Sequence, residues 1–107
     1  MPQEPMYIEE VSSTKLQTEF NNLRIQELAD SGELKVVLKR NGHPKNPPEG
    51  EPVCTHSQIL YYYTLNGDPI AVVHRFLRPD GSIGASGKHD PKRIWLGNRV
   101  LFVRSRK

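Results

Sequence analysis

The chain has 107 residues, 36% of them hydrophobic and 25% charged, with a formal net charge of +3; that is enough for one domain with a modest core and too little for a second. Its single cysteine, Cys54, excludes an internal disulfide and with it a secreted, disulfide-built scaffold. No apolar run approaches the ~18–20 residues that cross a bilayer, and Met1-Pro2-Gln3-Glu4-Pro5 lacks the basic start and apolar centre of a signal peptide, so the expected location is the cytoplasm, away from membranes.

Taken in order, residues 1–11 are acidic and contain prolines, with one short strand signal at Met6-Tyr7-Ile8; a loosely ordered start is expected. A single domain is expected over 12–107. From Ser12 the pattern turns helical. Thr14 with Gln17 fits a capping box, and Leu16, Phe20, Leu23 and Leu28 recur at helical spacing until Gly32 offers a left-handed stop. Asn21-Asn22 are the weak point, being poor helix formers. Residues 33–40 read as a strand ended by Asn41-Gly42. Residues 41–56 hold Pro44, Pro47, Pro48 and Pro52, which predicts a long irregular connection.

Residues 57–77 carry the strongest signal in the chain. Two β-branched and aromatic runs flank Asn66-Gly67, the sequence signature of a hairpin. A two-residue turn there sets Tyr63 opposite Ile70, Tyr61 opposite Val72 and Ile59 opposite His74 on one face, with Leu60 opposite Val73 and Gln58 opposite Arg75 on the other. Both faces of this hairpin carry apolar residues, which calls for two coverings or a curved sheet. Arg78-Pro79-Asp80-Gly81 follows as a type I turn. Residues 92–96 have two readings, a short helix capped by Asp90-Pro91 or a strand paired with 99–103 around Gly97-Asn98; a last strand at 100–103 and a basic tail close the chain. The expected architecture is α+β: one N-terminal helix packed on a mainly antiparallel, curved sheet of four or five strands.

Charge is distributed unevenly. Residues 1–34 hold two Lys/Arg against seven Asp/Glu, whereas residues 74–107 hold nine against two. Two readings stand side by side: a phosphate-binding face in the C-terminal third, or an acidic N-terminal segment that lies on the basic sheet and neutralises it.

The loop running from Gly81 to Lys88 fails the Walker A test, because five residues separate Gly81 from Gly87 and His89 follows Lys88. What it offers instead is a set of backbone N–H groups beside cations, a cradle for an anion without a metal. The candidate site residues are His74, His89 and Lys88 for proton transfer and charge stabilisation, and Arg75, Arg78, Gly87, Lys92 and Arg93 for phosphate. Tyr62, pointing away from Tyr61 and Tyr63, is the candidate base-stacking ring, with Trp95 similarly placed. His43, Cys54 and His56 match no common zinc spacing, and nothing here calls for a metal or another cofactor.

The order helix, antiparallel sheet, His74-Arg75 on a central strand, then Gly87-Lys88-His89 and Arg93 resembles the small metal-independent ribonucleases, the barnase-like, colicin-type and RelE-like toxins. The resemblance covers roughly residues 12–103 and lies in element order and residue type. It implies RNA cleavage through the 2′-hydroxyl, with a histidine, lysine or glutamate as base and arginine or lysine stabilising the phosphorane. The chain departs from the barnase-type pairing of glutamate and histidine, since no Glu follows Glu51. The segment from Arg78 to Arg93 also resembles signature segments of small bacterial or phage proteins. The functional expectation is binding of RNA or another polyanion through the basic glycine-rich loop, extending to endoribonuclease activity. Against it stands a non-catalytic protein-interaction module, an inhibitor, antitoxin-like or regulatory accessory protein.

Overall fold

The computed structural model describes residues 6–42, 50–84 and 87–104. His43, Pro44, Pro47 and Pro48 of the proline-rich connection, Ala85 and Ser86 of the glycine-rich loop, and residues 105–107 of the basic tail lie outside the described residues. The elements run β1 (Tyr7–Glu10), α1 (Ser13–Asn22), α2 (Ile25–Asp30), β2 (Leu34–Gly42), β3 (His56–Thr64), β4 (Pro69–Leu77), β5 (Asp90–Leu96) and β6 (Arg99–Phe102). One six-stranded sheet of order β1-β6-β5-β4-β3-β2 contains every strand. All neighbours are antiparallel except β1 and β6, which run parallel. The architecture is α+β, with two helices and six strands among the described residues where one helix and four or five strands were expected.

The extra helix comes from a break within the expected one. Ser12, rather than Thr14, caps α1, its side chain accepting the Lys15 N–H at 3.1 Å, the hydroxyl cap that satisfies an otherwise orphan donor. Leu16 and Phe20 then point inward at a spacing of four. After Asn21-Asn22 the chain breaks at Arg24, which takes a left-handed φ of 55°, and Ile25 becomes the next buried residue while Leu23 is turned out to solvent. The end of α2 follows expectation. Gly32 has φ 84°, its N–H donates to Ala29, and the Glu33 N–H reaches back to Leu28, the paired bonds of a Schellman motif.

The extra strand is β1, from the segment expected to be loose. Its Tyr7 N–H donates to the Asn98 carbonyl at 2.7 Å, the Val11 N–H donates to Phe102 at 2.9 Å, and Glu9 and Glu10 form ion pairs with Arg99 and Arg104 at 3.0 and 3.3 Å. Two cations of the C-terminal third are thus matched by acids of the N-terminal segment, part of what the second reading of the charge asymmetry describes, whereas Arg78 and Lys92 pair with Glu51 and Asp90. For residues 92–96 the strand reading holds, as β5 and β6 form a hairpin around Gly97-Asn98.

The β3–β4 register matches the sequence reading from Gln58↔Arg75 to Tyr61↔Val72, but Tyr63 faces Pro69 instead of Ile70. The turn is longer than expected: the Gly67 N–H donates to Thr64, the Thr64 N–H to Asp68, and Gly67 has φ 95°, the geometry of a three-residue loop closed by a left-handed glycine. A bulge between Tyr62 and Tyr63 restores the register, and Ile70 packs against the core.

Both helices lie on one face of the sheet. The core joins Leu16, Phe20 and Ile25 to Leu60, Tyr62, Ala71, Val73, Ile94 and Leu101. Among the described residues, no helix lies over the apolar residues on the opposite face of the hairpin. No helix among the described residues is long and apolar enough to cross a membrane.

Candidate functional site

The distinctive feature is a notch where the chain leaves the sheet. Strand β4 continues to Leu77, but β5 joins it only at Asp90, opposite His74. On the far side, Ile83 bridges to Leu77 and the Gly84 N–H donates to the Phe76 carbonyl at 2.7 Å. Between those attachments Lys88 and His89 rise off the sheet toward α1. Beneath them is a cleft of about 110 Å³ lined by His74, Arg75, Lys88 and His89 together with Gln17 and Asp90, room for about three or four waters. Four of the candidate residues thus line the cleft, His74 from the face turned away from the helices and Arg75 and His89 from the helix side.

Each has a defined setting. The His74 Nε2 lies 2.9 Å from the Ser57 hydroxyl, and its ring packs edge-on against Phe76 with centroids 4.7 Å apart. Burial and the Lys92 cation hold its pKa below the ordinary 6.5, with Asp90 pulling the other way. His89 is lowered likewise, by burial and then by Arg75, against Asp30. Its Nε2 is shielded from solvent and finds no hydrogen-bond partner among the described residues. The lowered values disfavour the charged form of both rings, which suits a proton acceptor, while a ring that serves as acid does so from its imidazolium form. Arg75 is held by a polar chain: its Nε donates to Gln58 at 2.8 Å, the Gln58 amide donates to Asn41 at 3.1 Å, and Asn41 is 2.7 Å from the His56 Nδ1. Lys88 is exposed.

The other candidates are dispersed. Arg78 gives its guanidinium to Glu51 in a bidentate contact of 2.7 and 3.0 Å. That carboxylate is 4% exposed and sits so close to Gly84 that a Cβ there would stand 2.9 Å from it, so the chain's own carboxylate lies against the glycine-rich turn. Gly87 has a left-handed φ of 74°, but its N–H donates to Gly84 at 3.0 Å and so closes the turn instead of facing an anion. Lys92 pairs with Asp90 at 2.8 Å. Arg93 lies outside the cleft, 5.8 Å from the Trp95 ring centre.

Tyr62 is the clear correction. It is 1% exposed, its hydroxyl donates to Gln26 at 2.6 Å, and burial pushes its pKa up to about 12 against the lowering effect of that bond. Facing α2, it cannot stack a base. Tyr61 and Tyr63 occupy the other face.

Sequence reasoning missed Ser57, Gln17 and Asp90. Ser57 was recoverable, because the hairpin register sets it opposite Phe76, diagonal to His74. Gln17 reaches the cleft only through packing of α1. Ser57, His74 and Asp90 do not form an acyl-transfer triad, since Asp90 directs its carboxylate at Lys92. Cys54 is exposed, and no group of three or more metal-ligating side chains occurs among the described residues.

No protein-family model, curated protein or solved structure matches the chain.

Proposed function

We propose that the protein binds RNA and handles one phosphodiester in the notch, as a metal-independent endoribonuclease. The observation that supports this reading is the meeting of His74, Arg75, Lys88 and His89 at one small cleft. In the proposed step one histidine takes the proton of a 2′-hydroxyl as its oxygen attacks phosphorus. The other, entering the step as the imidazolium, gives its proton to the departing 5′-oxygen and becomes neutral, so that a P–O2′ bond replaces the P–O5′ bond and a 2′,3′-cyclic phosphate is left. Lys88 and Arg75 balance the charge that builds on the non-bridging oxygens. The test is cleavage of single-stranded RNA in EDTA. His89→Ala is expected to lower the rate by about 10²-fold or more while the urea midpoint at neutral pH stays near that of the parent; an intact substrate with the parent chain removes the catalytic claim.

A second reading draws on a different observation. Strand β2 forms a sheet edge nine residues long, with Val36 and Leu38 44% and 47% exposed, and an uncovered edge can pair with a strand of another protein. A stoichiometric protein complex lost in Leu38→Pro, from a chain that leaves RNA intact, is the result that favours this interaction module.

A further inference from the structure

The face of the sheet turned away from the helices combines rings with unpaired cations. Register places Lys35 beside Tyr63 and Val37 beside Tyr61, and Tyr61 is followed across the sheet by Val72 and then Arg93. The Tyr61 and Tyr63 rings lie 6.3 Å apart, the Lys39 ammonium lies 5.4 Å from the Tyr61 centroid, and Arg93 stands over Trp95. Among the described residues none of Lys35, Lys39 and Arg93 has a carboxylate partner. Glu10 and Asp90, the acids whose register puts them on this face, are engaged by Arg104 and Lys92.

We propose that this face is the platform for single-stranded RNA, the substrate class of the notch; the inference rests on the reading of the notch as a phosphodiester site. Bases stack on Tyr61, Tyr63 and Trp95, and the phosphates lie along Lys35, Lys39 and Arg93, a pattern that suits every base because each has a π-face. From β2 to β5 the platform spans three strand spacings, roughly 14 Å, enough for about two or three bases. His74 sits on the same face, two residues along β4 from Val72, where it forms one rim of the cleft. A duplex cannot use this surface, because its bases already stack on one another. Charge complementarity selects a polyanion over a second copy of the chain, which would bring like charge to like.

The test uses a labelled 2′-O-methyl RNA oligonucleotide, which has no 2′-hydroxyl to react, followed by anisotropy both as a single strand and annealed to its complement. The single strand is expected to bind more tightly. Tyr61→Ala and Trp95→Ala each weaken it about tenfold, whereas Tyr61→Phe retains affinity. Lys39→Glu with Arg93→Glu, which keeps all three rings and reverses the charge beside them, reduces the log–log salt slope by at least roughly 0.7 per site. Equal binding of strand and duplex, or ring and charge variants that bind like the parent, overturns the platform; the notch reading survives that result if His89→Ala still abolishes cleavage in EDTA. A parent chain that binds no RNA overturns both. A dimer that Trp95→Ala converts to monomer, with RNA affinity unchanged, assigns the face to self-association and overturns the proposal.

Discussion

Tyr61 and Tyr62 are neighbours in the chain with identical side chains, and they belong to opposite worlds. Tyr62 lies under α2, tilted against Phe20 with ring centres 6.5 Å apart and its hydroxyl tied to Gln26. Tyr61 lies on the uncovered face, flanked by Tyr63 and Lys39. The pleat alone makes this division, and where the helices settle decides which tyrosine serves stability and which is available to a ligand. A sheet covered on one side only therefore separates its core from its binding surface one residue at a time.

Substitutions can sharpen this contrast. Tyr62→Ala should destabilise the fold by about 3–5 kcal/mol, seen as a large drop in the urea midpoint, whereas Tyr61→Ala should cost less than half as much. Equal losses would mean that both faces are structural. Tyr62→Phe keeps the ring and removes the bond to Gln26, at about 1 kcal/mol. It should also erase the last phenol to ionise in an alkaline titration. Because the folded-state pKa is raised from 10.0 to about 12, the stability linked to this group is intact below pH 10 and is lost as pH climbs through about 12.

The smallest effect is a slope. His74 and His89 have folded-state pKa values below the ordinary 6.5, so as pH falls past 6.5 the unfolded chain takes up protons first. Their linked stability is present above 6.5 and declines below it, through the lowered values. The urea midpoint should therefore fall on acidification from that point, less steeply in His89→Gln. Asp80, whose pKa is lowered by its bonds from Ser82, contributes in a separate window, below 3.8.

The central hairpin was legible because alternation and a turn signal reinforce each other there; only the extra loop residue and its bulge escaped, since Asn66-Gly67 serves two-residue and three-residue turns alike. Strand β1 showed only as the short signal at Met6-Tyr7-Ile8, and its place in the sheet did not show at all. All four of its residues are exposed, so it carries no apolar rhythm, and its partner lies at the other end of the chain. The break at Arg24 was hidden for a different reason, because a left-handed conformation is not expected of an arginine. Within the site, His74 and Arg75 could be placed by register and Lys88-His89 by their loop. Parity showed that Tyr62 opposes its neighbours but could not show which side the helices would take. The cations of β2 went unnoticed because their position over Tyr61 and Tyr63 depends on a pairing across the long proline-rich connection.

The parallel union of β1 with β6 has a bearing on biosynthesis. Residues 7–10 leave the ribosome well before Arg99–Phe102, the strand they dock against, so the acidic segment must wait for that strand to emerge. Premature termination a few codons before Arg99 would strand Glu9 and Glu10 without their arginines and bare the flank of β5, leaving an adhesive nascent product.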